Sequence, residues 1–139
     1  MRLRVLAVGK LKPAGLVDFE ASFQKRMRAT MPLEVLALKD TATMLARAER
    51  PRVVLDERGR EPTSRELADW LDDWRARGVR CVDFLIGDAH GFDDVQRADA
   101  DRVMALSRLT LPHRLARVMI VEQLYRASTI LSGHPYHHE

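Results

Sequence analysis

Short apolar runs alternate along this chain with longer segments whose apolar residues recur at helical spacing. Runs of roughly four to eight apolar residues bounded by turn residues are typical of strands buried in a sheet. The predicted strands are 3–9, 32–38, 52–56, 81–87 and 102–107, and a turn is predicted at 57–62, after the third strand. The predicted helices are 14–30, 41–49, 63–78, 93–100 and 112–131, and Thr63 with Glu66 matches a capping box at the start of the third helix. This alternation predicts an α/β domain with a mainly parallel sheet and helices on both faces.

Length and composition favour one globular domain, placed at residues 1–139. Apolar residues make up 46% of the chain and charged residues 31%, which argues against intrinsic disorder. No apolar run reaches the roughly 18–20 residues that span a bilayer, so we expect no membrane segment. The first apolar run is read as a strand and not as a signal peptide. Cys81 is the single cysteine, which excludes an internal disulfide and fits a reducing cytoplasm.

Charge is distributed unevenly along the sequence. Residues 1–60 carry 13 Lys/Arg against 7 Asp/Glu, residues 61–101 carry 5 against 11, and residues 102–139 carry 5 against 2. Folding that brings the two basic segments together would create a basic face suited to a polyanion. Scattered, solvated charge is the alternative, and the sequence does not choose between them.

The segment "LIGDAHGF", residues 85–92, places two glycines directly after a predicted strand. Ligands of parallel sheets bind beyond the carboxyl ends of the strands, and glycine lets a ligand approach the backbone closely. Neither a P-loop pattern nor a dinucleotide-binding fingerprint is present. The segment therefore predicts either a loop whose backbone at Gly87 and Gly91 binds a cofactor or an ordinary turn.

A second unusual segment runs from Leu106 to Pro112 and opens the last helix. Its apolar residues and hydroxyls are uncommon for a loop, which suggests that a ligand or partner covers it. The helix that follows is apolar nearly all round, so it must be buried on more than one side. In a chain this short, a second subunit is one candidate for that cover.

The chain ends in "GHPYHHE", residues 133–139, which holds three of its five histidines. A zinc site needs three or four suitably spaced ligands, and the tail offers His134, His137 and His138 with no cysteine nearby. A purification tag would be a histidine homopolymer, which the proline, tyrosine and glutamate argue against. Part of an active site is the remaining interpretation.

Four segments in this order carry a family resemblance: "VVLDERG", "LIGDAHGF", "LSRLTLPHRLARVMIVEQLYRA" and "HPYH". They resemble the ribosomal RNA large subunit methyltransferase H family, the 23S rRNA pseudouridine N3-methyltransferases of the SPOUT superfamily. The resemblance extends over essentially the whole chain. It implies a C-terminal trefoil knot, an exception to the usual absence of knots, and a homodimer.

The same resemblance implies an activity and a set of site residues. The methyl donor would be S-adenosylmethionine (SAM), and the acceptor N3 of a pseudouridine in helix 69 of 23S rRNA within the assembled 70S ribosome. The implied cofactor-binding residues are Leu55, Gly87, Leu106, Ser107, Arg108, Leu109, Thr110 and Leu111. The catalytic candidates are His134, Tyr136 and His137, which could deprotonate, orient or stack on the base. The RNA-binding candidates are Arg114, Arg126 and His138.

Departures from the family pattern leave two other classes of function open. Asp88 stands where the family usually has a second glycine, and His138 where it usually has Lys or Arg. The region 39–50 is also shorter than in relatives, which bears on RNA docking. A SAM- or RNA-binding SPOUT-like protein without catalysis is one alternative, and a metal- or nucleotide-binding module that uses the tail histidines is the other.

Overall fold

The computed structural model describes residues 1–138, so Glu139 of the expected domain lies outside the described residues. The strands are β1 Arg2–Val8, β2 Leu33–Leu38, β3 Arg52–Arg60, β4 Cys81–Ile86 and β5 Arg102–Met104. The helices are α1 Ala14–Met27, α2 Thr41–Arg47, α3 Ser64–Ala76, α4 Asp94–Asp99 and α5 His113–Ser132. Each predicted strand and helix is found, and the α/β class is confirmed.

All strand pairs in the sheet are parallel, in the order β2-β1-β4-β3-β5. Parallel strands need crossover connections, and α1, α2, α3 and α4 each lie in one. The register places Leu55 of β3 between Ile86 of β4 and Met104 of β5. The carboxyl ends of β3, β4 and β5 therefore meet at one edge of the sheet.

Alternating side chains on the strands build two cores on opposite faces of the sheet. On β1, Leu3, Val5 and Ala7 join the larger core, while Leu6 joins the smaller one. The larger core is covered by α1, α3 and α5, and the smaller by α2 together with Phe92. Burial of apolar side chains on both faces explains why the strands read as continuous apolar runs.

Two strand boundaries differ from the prediction. The first is the end of β3, where the backbone of β3 lies close to that of β5. The segment 57–62, predicted as a turn, continues β3 as far as Arg60, with an irregular register between Leu55 and Arg60. A Cβ on Gly59 would lie 2.6 Å from the backbone carbon of Val103, so only glycine fits beside β5. β5 itself ends at Met104 and not at residue 107.

The helix boundaries follow local capping chemistry. Thr63 accepts a hydrogen bond from the backbone N–H of Glu66, and the Glu66 side chain returns one to Thr63, which confirms the predicted capping box. Helix α5 runs between α1 and α3, which buries Val121, Leu124 and Ala127. Helix α5 is thus buried on two sides by helices of its own chain. The trefoil knot stays a prediction.

Across residues 1–138, none of the helices is long and apolar enough to cross a membrane.

Candidate active site

A cavity of about 260 Å³ opens at the edge where β3, β4 and β5 end. Three loops and the first turns of α5 enclose it. Its lining consists of Leu55, Asp56, Glu57, Arg58, Ile86, Gly87, Asp88, Ala89, His90, Gly91, Leu106, Ser107, Leu109, Thr110, Leu111, His113 and Ala116. We call this the donor pocket. It brings together seven of the eight predicted cofactor residues.

Gly87 is placed where no larger residue fits easily. It directly follows β4 and is buried. A Cβ built on it would lie 3.2 Å from Cε2 of Phe92 and 3.3 Å from the carbonyl oxygen of Gly91. The loop thus closes on Gly87, and the pocket presents backbone at this point.

The rest of the glycine loop is shaped by its own aspartate. Oδ1 of Asp88 accepts a hydrogen bond of 2.9 Å from the backbone N–H of His90, an Asx turn. The carbonyl oxygen of Asp88 accepts another of 2.9 Å from the N–H of Gly91, whose φ of 70° is a conformation that glycine favours. Asp88 therefore fixes the turn with its side chain.

Arg97 of α4 ties two of the pocket loops together, a role that the sequence did not reveal. Its guanidinium donates to Oδ2 of Asp56 at 3.3 Å, and also to the carbonyl oxygen of Phe92 and to Asp94. The side chains of Asp56 and Arg97 are 6% and 14% exposed, so water screens their contact weakly. The loops after β3 and β4 are thereby held in one position.

The segment after β5 forms the third wall. Oγ1 of Thr110 donates a hydrogen bond of 3.1 Å to Oε2 of Glu57, which joins this wall to the loop after β3. Oγ of Ser107 accepts from the N–H of Leu109 at 3.0 Å. Arg108 is the exception among the predicted cofactor residues: its side chain is 93% exposed, and it does not line the pocket.

Three carboxylates lie in the lining, and the motif reasoning had left two of them out. Asp56 and Glu57 follow directly on Leu55, and Asp88 follows Gly87. The signal in the sequence that could have identified them is their position immediately after the ends of two strands. Because Asp56 is paired with Arg97, Glu57 and Asp88 are the carboxylates left for a ligand, and they suit one that carries positive charge.

The C-terminal tail folds back onto the end of α5. Gly133 ends the helix in the left-handed conformation with φ of 77°, and the N–H of His134 donates to the carbonyl oxygen of Thr129 at 3.0 Å. The hydroxyl of Tyr136 donates to Oε1 of Glu122 at 2.9 Å. The ring of Tyr136 meets the ring of Tyr125 edge to face, with centroids 4.7 Å apart.

Arg126, predicted to contact RNA, is held by the tail and by its own helix. It donates twice to Oε1 of Glu122, at 2.6 and 3.1 Å, and its guanidinium lies 4.8 Å from the ring centroid of Tyr136. Its Nη1 also lies 3.2 Å from Nδ1 of His137. Burial first, and then the hydrogen bond to Glu122, raise the pKa of Tyr136. These contacts make Tyr136 a neutral hydrogen-bond donor.

The tail does not lie beside the cofactor loops of its own chain. His113 at the start of α5 lines the donor pocket, whereas the tail follows the other end of this 20-residue helix, roughly 30 Å away. Even Glu122, the contact of Tyr136, lies roughly 14 Å past His113 along the axis. Methyl transfer requires reacting atoms about 3–3.5 Å apart. The predicted catalytic and cofactor residues are therefore separated within one chain.

The remaining predicted residues lie at the two ends of α5. Arg114 is exposed on the first turn, next to the donor pocket, and His138 is exposed at the end of the tail. Within residues 1–138, no three His, Cys, Asp or Glu side chains gather in a way that could hold a metal ion. His90 and His113, whose roles the sequence left open, both line the donor pocket.

Comparison with known proteins shows the family of this chain. A family model described as "Predicted SPOUT methyltransferase" matches residues 1–137. Two similar curated proteins are each named ribosomal RNA large subunit methyltransferase H. The protein of Thiobacillus denitrificans is 42% identical, with 100% of both chains covered, and that of Geobacter metallireducens is 42% identical, with 99% of both covered.

Solved structures show the same fold at low identity. A probable methylase family protein from Haemophilus influenzae gives a TM-score of 0.61 at 10% identity, covering 99% of this chain and 70% of that one. A probable methyltransferase from Bordetella pertussis gives 0.59 at 16% identity, covering 91% and 95%. The full-length family match and the relatives at about 40% identity identify the chain. It belongs to the SPOUT methyltransferase family, in the group of ribosomal RNA large subunit methyltransferase H proteins.

Proposed function

We propose that this protein is a cytoplasmic homodimer that transfers a methyl group from SAM to N3 of a pseudouridine in helix 69 of 23S rRNA, on the assembled 70S ribosome. The observation that carries the proposal is the donor pocket at the carboxyl ends of β3, β4 and β5, which gathers Leu55, Gly87 and the 106–111 segment. The names of the rRNA methyltransferase relatives support the substrate class.

The donor pocket suits SAM in both shape and charge. Leu55, Ile86 and Leu106 offer apolar surface for an adenine ring, and the backbone around Gly87 offers hydrogen-bonding groups. Glu57 and Asp88 complement the positive sulfonium and ammonium groups, whereas Asp56 is already paired with Arg97. When bound, SAM supplies an electrophilic methyl group on its sulfonium sulfur.

The protein's own residues have to present the acceptor base and remove its N3 proton. His134 and His137 carry imidazoles, the side chain that most often serves as a general base, and they are the candidates for accepting that proton. Tyr136 already donates its hydroxyl proton to Glu122, so we assign it to orientation and stacking and not to proton removal. Alignment itself supplies much of the acceleration, since effective molarities of about 10⁵ M or more are reached by well-oriented groups.

The separation of donor pocket and tail along α5 supports the proposed homodimer. A second copy can place its tail over the first copy's pocket, which one chain alone does not do. Exposed apolar side chains on α1 and α5 support such an interface: Val17 is 42% exposed, Phe19 51% and Leu115 41%. In a two-fold dimer each pocket is then completed by the other subunit's tail.

Two measurements test the proposal in sequence. Calorimetry of the purified protein with SAM should show binding, and absence of binding would rule out the enzyme. Incubation with labelled SAM and either 70S ribosomes or free 50S subunits from a strain lacking this methylation should label helix 69 in the 70S particle. SAM binding without methylation of either particle would favour a SPOUT-like binding protein that lacks catalysis.

A further inference from the structure

A second cavity, of about 510 Å³, lies far from the donor pocket. It is bounded by the end of α1, the last two turns of α5 and the tail. Its lining is unlike that of the donor pocket: it contains one arginine, one histidine and six hydroxyl-bearing residues, and no carboxylate. Such a lining repels neither phosphate nor the polar edge of a base. We call this the tail cavity.

The cation of the tail cavity is Arg26, near the end of α1. Its guanidinium lies 5.4 Å from the ring centroid of Phe23 and 5.5 Å from that of Tyr125, which holds it by cation–π contacts. Arg26 makes no ion pair within the described part of the chain, residues 1–138. Arg26 is therefore a positive charge that is held in place, and its guanidinium N–H groups can donate hydrogen bonds to an anion.

The hydroxyls of the tail cavity are arranged to accept hydrogen bonds. Ser128 donates its hydroxyl proton to the carbonyl oxygen of Tyr125 at 2.6 Å, and Thr129 donates to that of Arg126 at 2.6 Å. Ser132 donates to the carbonyl oxygen of Thr129 at 3.3 Å. Because these three hydroxyl protons are already donated to backbone carbonyls, the hydroxyl oxygens can accept hydrogen bonds from N–H groups of a ligand.

Aromatic surface completes the cavity. The rings of Tyr125 and Tyr136 meet edge to face at its wall. A cation, acceptor oxygens and aromatic rings are the three features by which proteins hold an unpaired RNA nucleotide: phosphate on arginine, base N–H groups on acceptors, and base on an aromatic ring. Pseudouridine and uridine both carry N–H donors on the base.

We infer that the tail cavity binds a pyrimidine nucleotide of the RNA strand to be methylated, with Arg26 on its phosphate; this inference rests on the proposed function. The end of α1 forms one wall of the tail cavity, beside the tail residues. Arg26 is therefore assigned as a substrate-binding residue. In a dimer, the nucleotide held there faces the donor pocket of the other subunit.

Three single variants that each remove one charge near the end of α1, and a fourth that keeps the charge, test this inference. Arg26→Gln should raise the KM for 70S ribosomes by roughly 10- to 100-fold, the usual effect of losing a charge-assisted hydrogen bond, with the Kd for SAM unchanged. Lys25→Gln and Arg28→Gln are the controls, since both residues are exposed and neither lines the cavity. Arg26→Lys keeps the charge without the planar fork and should give an intermediate KM.

A direct binding measurement separates this inference from the proposed function. Uridine 5′-monophosphate titrated into ¹⁵N-labelled protein should shift the amide signals of residues 129–134 saturably in the wild type and in both controls, and not in Arg26→Gln. Equal shifts and equal KM values in all variants would overturn the inference. A wild type that binds the nucleotide through Arg26 but methylates no ribosome would refute the proposed function and leave the cavity assigned.

Discussion

Gly87 illustrates how one residue can decide the shape of a binding pocket. Its φ is in the ordinary range, so backbone freedom is not the reason for glycine here. The reason is space: the ring of Phe92 and the carbonyl oxygen of Gly91 occupy the positions that a side chain would contact. The residue type thus follows from what packs around it.

Replacing Gly87 by alanine should weaken SAM binding. The new methyl group would sit 3.2–3.3 Å from three atoms and push the loop outward, and overpacking of this kind costs about 1–3 kcal/mol. A loss of about 1.4 kcal/mol is a tenfold rise in Kd, which calorimetry resolves. Gly15→Ala is the matched control, because a Cβ at Gly15 meets nothing within 4 Å. Unchanged affinity in Gly87→Ala would contradict the packing argument.

Tyr136 gives a residue-scale prediction about pH. Its pKa is raised, by burial first and by the hydrogen bond to Glu122 second. The neutral phenol is therefore the stabilised form, and its contribution to stability is present below the ordinary pKa of about 10 and lost as pH rises through the raised pKa. Between pH 6 and 9, Tyr136→Phe should lower kcat and leave the shape of the pH–rate profile unchanged. Loss of an ionisation from that profile would show that Tyr136 is the base.

At the scale of elements, two buried ion pairs hold strands and helices in register. Glu20 of α1 accepts from Arg117 of α5 at 2.8 and 3.0 Å. Arg4 of β1 donates twice to Asp83 of β4, at 2.7 and 2.5 Å, and the backbone N–H of Glu49 also donates to Asp83. A buried pair is costly to break because the remaining charge loses its partner without regaining water.

Substitution Asp83→Asn should lower the free energy of unfolding by about 3 kcal/mol, since it leaves the Arg4 cation without a counter-charge at a site where Asp83 is 1% exposed. Urea unfolding at fixed protein concentration measures this. Asp72→Asn is the control, because its pair with Arg75 is about half exposed and such pairs contribute about 0–1 kcal/mol. Similar losses in the two variants would contradict the buried-pair argument.

At the scale of the whole molecule, the separation of donor pocket and tail makes a second subunit part of the proposed chemistry. Helix α5 carries the pocket residue His113 at its start and the tail after Ser132. A rigid helix keeps these ends apart, and in the proposed dimer a two-fold axis would bring the end of one copy to the start of the other. In this interpretation the protein needs the dimer for activity and not only for stability.

Mixing two inactive variants tests that view. One variant carries Gly87→Leu in the donor pocket with an intact tail, and the other ends at Ser132 with an intact pocket. Random mixing of subunits during co-expression should restore about a quarter of wild-type activity, since half the dimers are mixed and one of their two sites is intact. No restored activity, with mixed dimers demonstrated by mass spectrometry, would mean that each pocket is completed by its own chain.

The order of strands and helices was predictable, because it depends on the spacing of apolar residues. The capping box at Thr63 followed from the same local reasoning, and the segments after β3, β4 and β5 that line the pocket followed from it together with the family resemblance. The end of β3 was not predictable: residues 57–60 read as a turn, and only their contact with β5 keeps them extended. Arg108, predicted as part of the last segment, does not line the pocket, because the apolar motif around it does not say which side chain faces inward.

By itself the sequence determined the α/β class, the alternation of elements and the family, since these depend on local periodicity and on long specific motifs. Only the tertiary structure decided which distant residues meet: Arg97 with Asp56, Tyr136 with Glu122, and Arg26 with the tail cavity. It also decided that the tail lies away from its own donor pocket. The physical reason is that such contacts depend on how helices pack across the sheet, and the spacing of residues along the chain does not specify that packing.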